Sequence, residues 1–96
     1  MNTAEIRESR ISLAKGKCEY CGGIGSQLHH IVDKDGNRRK LYESVESVRW
    51  LCQACHIGKN KGVVLQHYRK EFDLWLRSQG FTDNQIREIT GRKLHI

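Results

Sequence analysis

Two Cys-x-x-Cys pairs, Cys18-Glu19-Tyr20-Cys21 and Cys52-Gln53-Ala54-Cys55, constrain this chain more than any other feature. A metal site built from both pairs closes residues 22–51 into a single excursion, whatever those residues form. Matched spacing predicts a closed tetrahedral zinc site of Cys18, Cys21, Cys52 and Cys55, whose four thiolates leave no open position for a catalytic water. Redox cysteines and separate core thiols are the alternative readings. Disulfides are opposed by the reducing cytoplasm expected for a chain whose residues 1–7 contain no apolar run and hence no signal peptide. With 96 residues, of which 38% are apolar, the chain makes one small domain that a structural metal would help to hold.

The formal charge of +6 suits a polyanionic partner. Basic residues are spread along the chain as Arg38, Arg39 and Lys40, then Lys59 and Lys61, Arg69 and Lys70, and Arg92 and Lys93. That spread fits a surface lying along a nucleic-acid backbone, and a merely solvated basic surface is the alternative. No stretch approaches the length of a membrane span, so no membrane partner is expected.

Taken in order, residues 3–14 read as a helix with Thr3 as N-cap, an apolar side of Ala4, Ile6, Ile11, Leu13 and Ala14, and Gly16 as its end. The glycines of Cys18-Glu19-Tyr20-Cys21-Gly22-Gly23 let backbone amides face sulfur, as in a zinc knuckle. Residues 27–32 read as a strand, Asp33-Lys34-Asp35-Gly36-Asn37 as a turn and residues 38–46 as a polar loop. Residues 47–51 read as a second strand, antiparallel to the first. Residues 52–61 read as a turn and short helix stopped by Gly62. Leu65, Tyr68, Phe72, Trp75, Leu76 and Gln79 mark a helix over 63–79, ended by Gly80. A last helix starts at the capping box of Thr82 and Gln85, with Phe81 placed to staple onto Ile86, and ends near Gly91.

Histidines are left over. With His29, His30 and His56 included, the cysteine pattern resembles that of the HNH endonucleases, whose core is a ββα-metal fold. The resemblance runs through Cys18-Glu19-Tyr20-Cys21-Gly22, His29-His30-Ile31-Val32, Leu51-Cys52-Gln53-Ala54-Cys55-His56 and Lys59, about residues 14–61. It implies a single α+β domain over residues 1–96, with a zinc-stapled two-stranded hairpin and helix over about 14–62, flanking helices, and a helical extension over about 63–96. It further implies that His30 is the general base, that His29 and His56 ligate a catalytic divalent ion (Mg2+, Mn2+, Ni2+ or Zn2+), and that the four cysteines hold one structural Zn2+. Cleavage of DNA would leave a 3′-hydroxyl and a 5′-phosphate.

Residue chemistry agrees with these roles. A histidine, with an ordinary pKa near 6.5, can take a proton from water at neutral pH, and a divalent cation can absorb charge on the scissile phosphate. Lys59, three residues after His56, is placed to hold phosphate, with Lys61, Arg38, Arg39 and Lys40 as further nucleic-acid contacts. Neighbours in a regular strand face opposite ways, so His29 and His30 share a site only where the strand is irregular. One core and one exposed histidine is the alternative, and His67 and His95 read as ordinary surface or helix residues.

One position departs from the family. The middle residue of the motif, usually Asn and thought to orient the loop presenting the base, is Ser47, which offers one hydroxyl where Asn offers an acceptor and two donors. Asn37 could substitute if the loop folds back. The C-terminal helices suit either packing on the core, favoured by Tyr68, Phe72 and Trp75, or a helix-turn-helix contact to DNA. The expected activity is therefore metal-dependent hydrolysis of DNA phosphodiesters in a bacterial cytoplasm, with small size pointing to a phage or mobile-element source and partners. The alternative is a non-catalytic, zinc-containing nucleic-acid-binding module on the same scaffold.

Overall fold

A computed structural model describes residues 2–32 and 43–91. The turn at residues 33–37, Asn37, Arg38, Arg39, Lys40, Arg92, Lys93 and His95 lie outside the described residues. The element order is α1 (Thr3–Ala14), β1 (Gln27–His30), a 3-10 turn (Val45–Ser47), β2 (Val48–Leu51), α2 (Gln53–His56), α3 (Lys61–Ser78) and α4 (Asp83–Thr90). The fold is thus a small α+β arrangement, a two-stranded antiparallel hairpin with several helices. No helix among the described residues is long and apolar enough to cross a membrane.

Helix α1 begins one residue earlier in its capping than expected. Asn2, not Thr3, is the N-cap, and its side chain and that of Glu5 form a reciprocal capping box. The Thr3 hydroxyl instead donates to Glu43 Oε1 at 2.7 Å. Of the expected apolar side only Ile6 is buried, and Leu13 is 64% exposed. Polar contacts supply what that narrow apolar stripe does not. Arg10 forms an ion pair with Glu19 at 2.5 Å, and Glu19 Oε2 also accepts from the Trp50 amide at 2.5 Å. One carboxylate in the first cysteine loop therefore ties α1 to β2.

The hairpin pairs Gln27 with Leu51, Leu28 with Trp50, His29 with Arg49 and His30 with Val48. Both strands are shorter than expected. β1 ends at His30, and Ile31 and Val32 turn into the core as irregular, buried residues. Ser47 belongs to the 3-10 turn and not to β2, because its hydroxyl and amide both close back on Ser44. All four residues of β2 are buried, which requires cover on both faces: Arg7 lies 5.4 Å over the Trp50 ring from α1, and Arg49 lies 5.2 Å over Tyr68 from α3.

Gly62 does not stop a helix. Helix α2 ends at His56, and α3 begins at Lys61 with Gly62 in its first turn, where backbone amides have no intrahelical partner to lose. Its buried face is Val64, Tyr68, Phe72 and Leu76, at strict four-residue spacing. Leu65 is only partly buried, and Trp75 stays 38% exposed, stacked on Phe72 at 5.8 Å. Helix α4 carries the expected capping box of Thr82 and Gln85 and ends on left-handed Gly91. Its Ile86 and Ile89 join Cys18, Ile31, Val32, Leu51, Cys55 and the α3 face in a single core cluster. The C-terminal helices therefore pack on the hairpin and the cysteines.

Candidate metal centre and histidine cleft

The first cysteine pair sits on a tight backbone loop. The Cys18 amide donates to the Gly23 carbonyl at 2.7 Å, the Gly22 amide to the Cys18 carbonyl at 2.9 Å, and Gly22 takes φ +81°, a conformation that favours glycine. The second pair straddles the start of α2, with Cys52 as N-cap and Cys55 in the first turn. Hydrogen bonds from the Glu19 amide to Trp50 O and from the Ser26 amide to Leu51 O hold the loop beside the end of β2. All four Sγ atoms consequently lie within 4.8 Å of one another, with Cys21 and Cys52 3.6 Å apart. Tetrahedral zinc, with bonds of about 2.3 Å, needs sulfurs roughly 3.8 Å apart. The cluster can hold a metal ion and is compatible with structural zinc.

The four thiols do not ionise alike. Burial raises the Cys18 thiol, but the amides of Cys21, Cys52 and Tyr20 and the Cys21 thiol aimed at its sulfur bring it down to about 6. Burial pushes Cys55 up to about 12, against a hydrogen bond from Asn60 and together with the neighbouring sulfurs. Amides favour one thiolate, and its neighbours resist the next. A bound cation removes that opposition, since it stabilises all four ligands as thiolates.

Next to this cluster a cleft of about 410 Å³ is lined by residues from β1, α2 and α3. His29, His30, His56, Lys61 and Arg69 are its polar walls, and Ile31, Val32, Val64 and Leu65 its apolar ones. Strand alternation puts His29 beside Arg49, whose partners Tyr68 and Glu71 belong to α3, and His30 beside Val48. Both histidines still border the cleft, because β1 ends at His30 and the lining continues through Ile31 and Val32.

His29 and His56 face each other, ring centroids 5.4 Å apart at 68°. Two imidazoles on adjacent tetrahedral positions of one ion, bound at 2.0–2.1 Å, have centroids roughly 5 Å apart. His29 Nε2 is buried with no hydrogen-bond partner among the described residues. Burial first, then the charges of His56, His30, Arg69 and Arg49, lower the His29 pKa from 6.5 to about 4, so the ring is neutral at pH 7 and keeps the lone pair a cation needs. The His56 Nδ1–H donates to Gln27 Oε1. His30 Nε2 meets Glu43 Oε2 at 2.6 Å.

No family model, curated protein or solved structure matches this chain. Its site is therefore read from its own residues.

Several residues singled out by the sequence meet here, and others do not. Cys18, Cys21, Cys52 and Cys55 form one cluster; His29, His30, His56 and Lys61 line one cleft. Lys59 is exposed in the turn after α2, not on a helix shared with His56, and the cleft lining passes from Ile57 to Lys61 without it. Ser47 is 2% exposed, and the lining, from Leu28 to Val32 and from Cys55 to Arg69, does not include it. Its carbonyl accepts from the Ile31 amide at 2.9 Å, directly after His30, so it fixes the segment bearing His30 through backbone. His67 is a half-exposed α3 residue, 3.5 Å from Glu71.

Gln27 and Glu43 escaped sequence reasoning, and Arg69 was read only as part of the general basic spread, not as a wall of this cleft. Gln27 precedes His29 by two residues and so shares its strand face. Arg69 follows Lys61 and Leu65 at four-residue steps, one face of α3. Glu43 had no local signal, since it stands 13 positions from His30 in sequence.

Proposed function

We propose that this chain is a metal-dependent DNA endonuclease of the HNH kind, with β1, β2 and α2 as its ββα-metal core and Cys18, Cys21, Cys52 and Cys55 holding a structural zinc. The observation that carries the reading is one cleft lined by His29, His30, His56, Lys61 and Arg69 beside the four-cysteine cluster. His29 and His56 would hold the divalent ion, which when bound neutralises charge on the scissile phosphate and the leaving oxygen. His30 takes the proton from the attacking water. Lys61 and Arg69 bind phosphate and orient the strand against the histidines, and the apolar wall of Ile31, Val32 and Val64 limits water around the reacting atoms. Hydrolysis then leaves a 3′-hydroxyl and a 5′-phosphate.

The test is nicking of supercoiled plasmid by zinc-loaded protein with and without Mg2+, Mn2+, Ni2+ or Zn2+, comparing wild type with His30→Ala. The expected outcome is divalent-dependent nicking that drops by at least about 100-fold in His30→Ala, the range of a lost general base. Full nicking by His30→Ala removes His30 from that role. A second reading, a non-catalytic zinc-containing nucleic-acid-binding module, draws on Ser47, whose hydroxyl is closed onto Ser44. Salt-dependent DNA binding by a wild type that never nicks with any of the four ions would favour it.

A further inference from the structure

Asn60 is the N-cap of α3, a position where an asparagine side chain ordinarily accepts from the amides of the first turn, yet it makes no such bond. Its Nδ2 donates instead to Cys55 Sγ at 3.7 Å, within the reach of a hydrogen bond to sulfur. The main chain around it is fastened on both sides. The Asn60 amide donates to the Ala54 carbonyl of α2 at 3.1 Å, and the Asn60 carbonyl accepts from the Val64 amide of α3 at 3.1 Å. These bonds aim the side chain at a sulfur that is itself buried, Cys55 being 1% exposed. Cys18, the other buried cysteine, is met by the backbone amides of Tyr20, Cys21 and Cys52. Cys55 is met by a side-chain amide.

We infer that Asn60 is a positioning residue of the metal centre, whose amide donates to the Cys55 thiolate and holds it for the ion. The inference rests on the four cysteines binding a metal and is independent of the nuclease reading. A metal-bound thiolate has lone pairs and no hydrogen, so it can only accept, and the NH2 end of Asn60 is the end that suits it. Such a bond from outside fixes a ligand's direction, and its loss typically costs on the order of 10- to 100-fold in metal affinity. A carboxylate at position 60 would set an acceptor where the thiolate needs a donor, although aspartate serves a helix N-terminus as well as asparagine does. That difference separates a role toward the sulfur from a role in starting α3.

The experiment uses the full-length chain and two readouts. Zinc-loaded protein is challenged with a competing chelator to give zinc affinity, and Co2+-substituted protein gives the sulfur-to-cobalt charge-transfer band. Asn60→Ala is expected to lose about 10- to 100-fold in zinc affinity. Its charge-transfer band should move to lower energy, because a thiolate without its hydrogen bond gives up charge more readily. Asn60→Asp should bind zinc more weakly than Asn60→Ala does, and Asn60→Ser, which keeps a shorter donor, should fall between Asn60→Ala and wild type. An unmoved band in Asn60→Ala, or Asn60→Asp with wild-type zinc affinity, overturns the inference and leaves Asn60 with a part in starting α3 alone. Wild type that takes up neither zinc nor cobalt ends the metal reading of the cysteines and the inference with it. Wild type that binds both, beside an Asn60→Ala with the same affinity and spectrum, ends the inference only.

Discussion

His29 carries a pH signature in the acid range. Burial and the surrounding cations hold its pKa at about 4 in the folded chain, against 6.5 when exposed. Between those values the unfolded chain binds more protons than the folded one, so stability is full above about pH 6.5 and declines as the pH falls toward about 4. In zinc-loaded protein without added divalent ion, His29→Gln is expected to flatten that part of the profile. Urea midpoints at about pH 7 and about pH 5 measure it: the gap between the two should be smaller in the variant than in wild type. Ser47 makes a second point at this scale. Its hydroxyl accepts from the Ser44 amide at 2.9 Å and donates to the Ser44 carbonyl at 3.1 Å, in a site only 2% exposed. Ser47→Asn is therefore expected to overpack and lose about 1–3 kcal/mol, more than the ~1 kcal/mol of Ser47→Ala. Urea denaturation of both variants decides the order.

The elements are joined by a few close approaches more than by broad faces. At Gly25, whose amide donates to the Gly16 carbonyl at 3.1 Å, a Cβ would stand 2.1 Å from Trp50 Nε1 and 2.2 Å from Cδ1. The indole ring cannot yield easily, being buried against Arg7 of α1. Gly25→Ala is expected to destabilise by about 1–3 kcal/mol or more, with a lower thermal midpoint and full zinc content, because the clash falls on the α1–β2 contact and not on the sulfurs. An unshifted midpoint would mean that Trp50 moves freely. Helix α4, by contrast, is specified locally. Thr82 and Gln85 satisfy each other's amides, and Ile86 and Ile89 meet the core at helical spacing.

Over the whole molecule, the four sulfurs sit where the hairpin, α2 and the first cysteine loop meet, and Cys18 and Cys55 are part of the core itself. A metal bound there is expected to be inseparable from folding, since ligand-set formation and core closure are one event. Elemental analysis should give one zinc per chain, and chelation should abolish the folded circular-dichroism signal and release protons as the metal is taken up again. A chain that stays folded after exhaustive chelation would leave the cluster without a structural role. Zinc affinity should also weaken as the pH is lowered, because thiolates must give way to thiols.

The sequence by itself determined what depends on neighbours in the chain. Matched Cys-x-x-Cys loops, an antiparallel strand pair within residues 27–32 and 47–51, the α4 cap and the presence of three chemistry-bearing histidines were legible from local spacing and turn chemistry. Only the tertiary structure decided which face of each element is used. Val64 is fully buried in the core cluster while Leu65 stays partly buried at the cleft, a choice between adjacent stripes that periodicity leaves open. Gly62 lies inside a helix because the first turn tolerates it, and Ser47 leaves the strand because its hydroxyl has a closer backbone partner in Ser44. Glu43 meets His30 from 13 positions away in sequence, and Arg69 reaches the cleft that His30 borders from the third turn of a helix. Contacts of that kind are fixed by packing many residues away, and no window of the chain contains both partners.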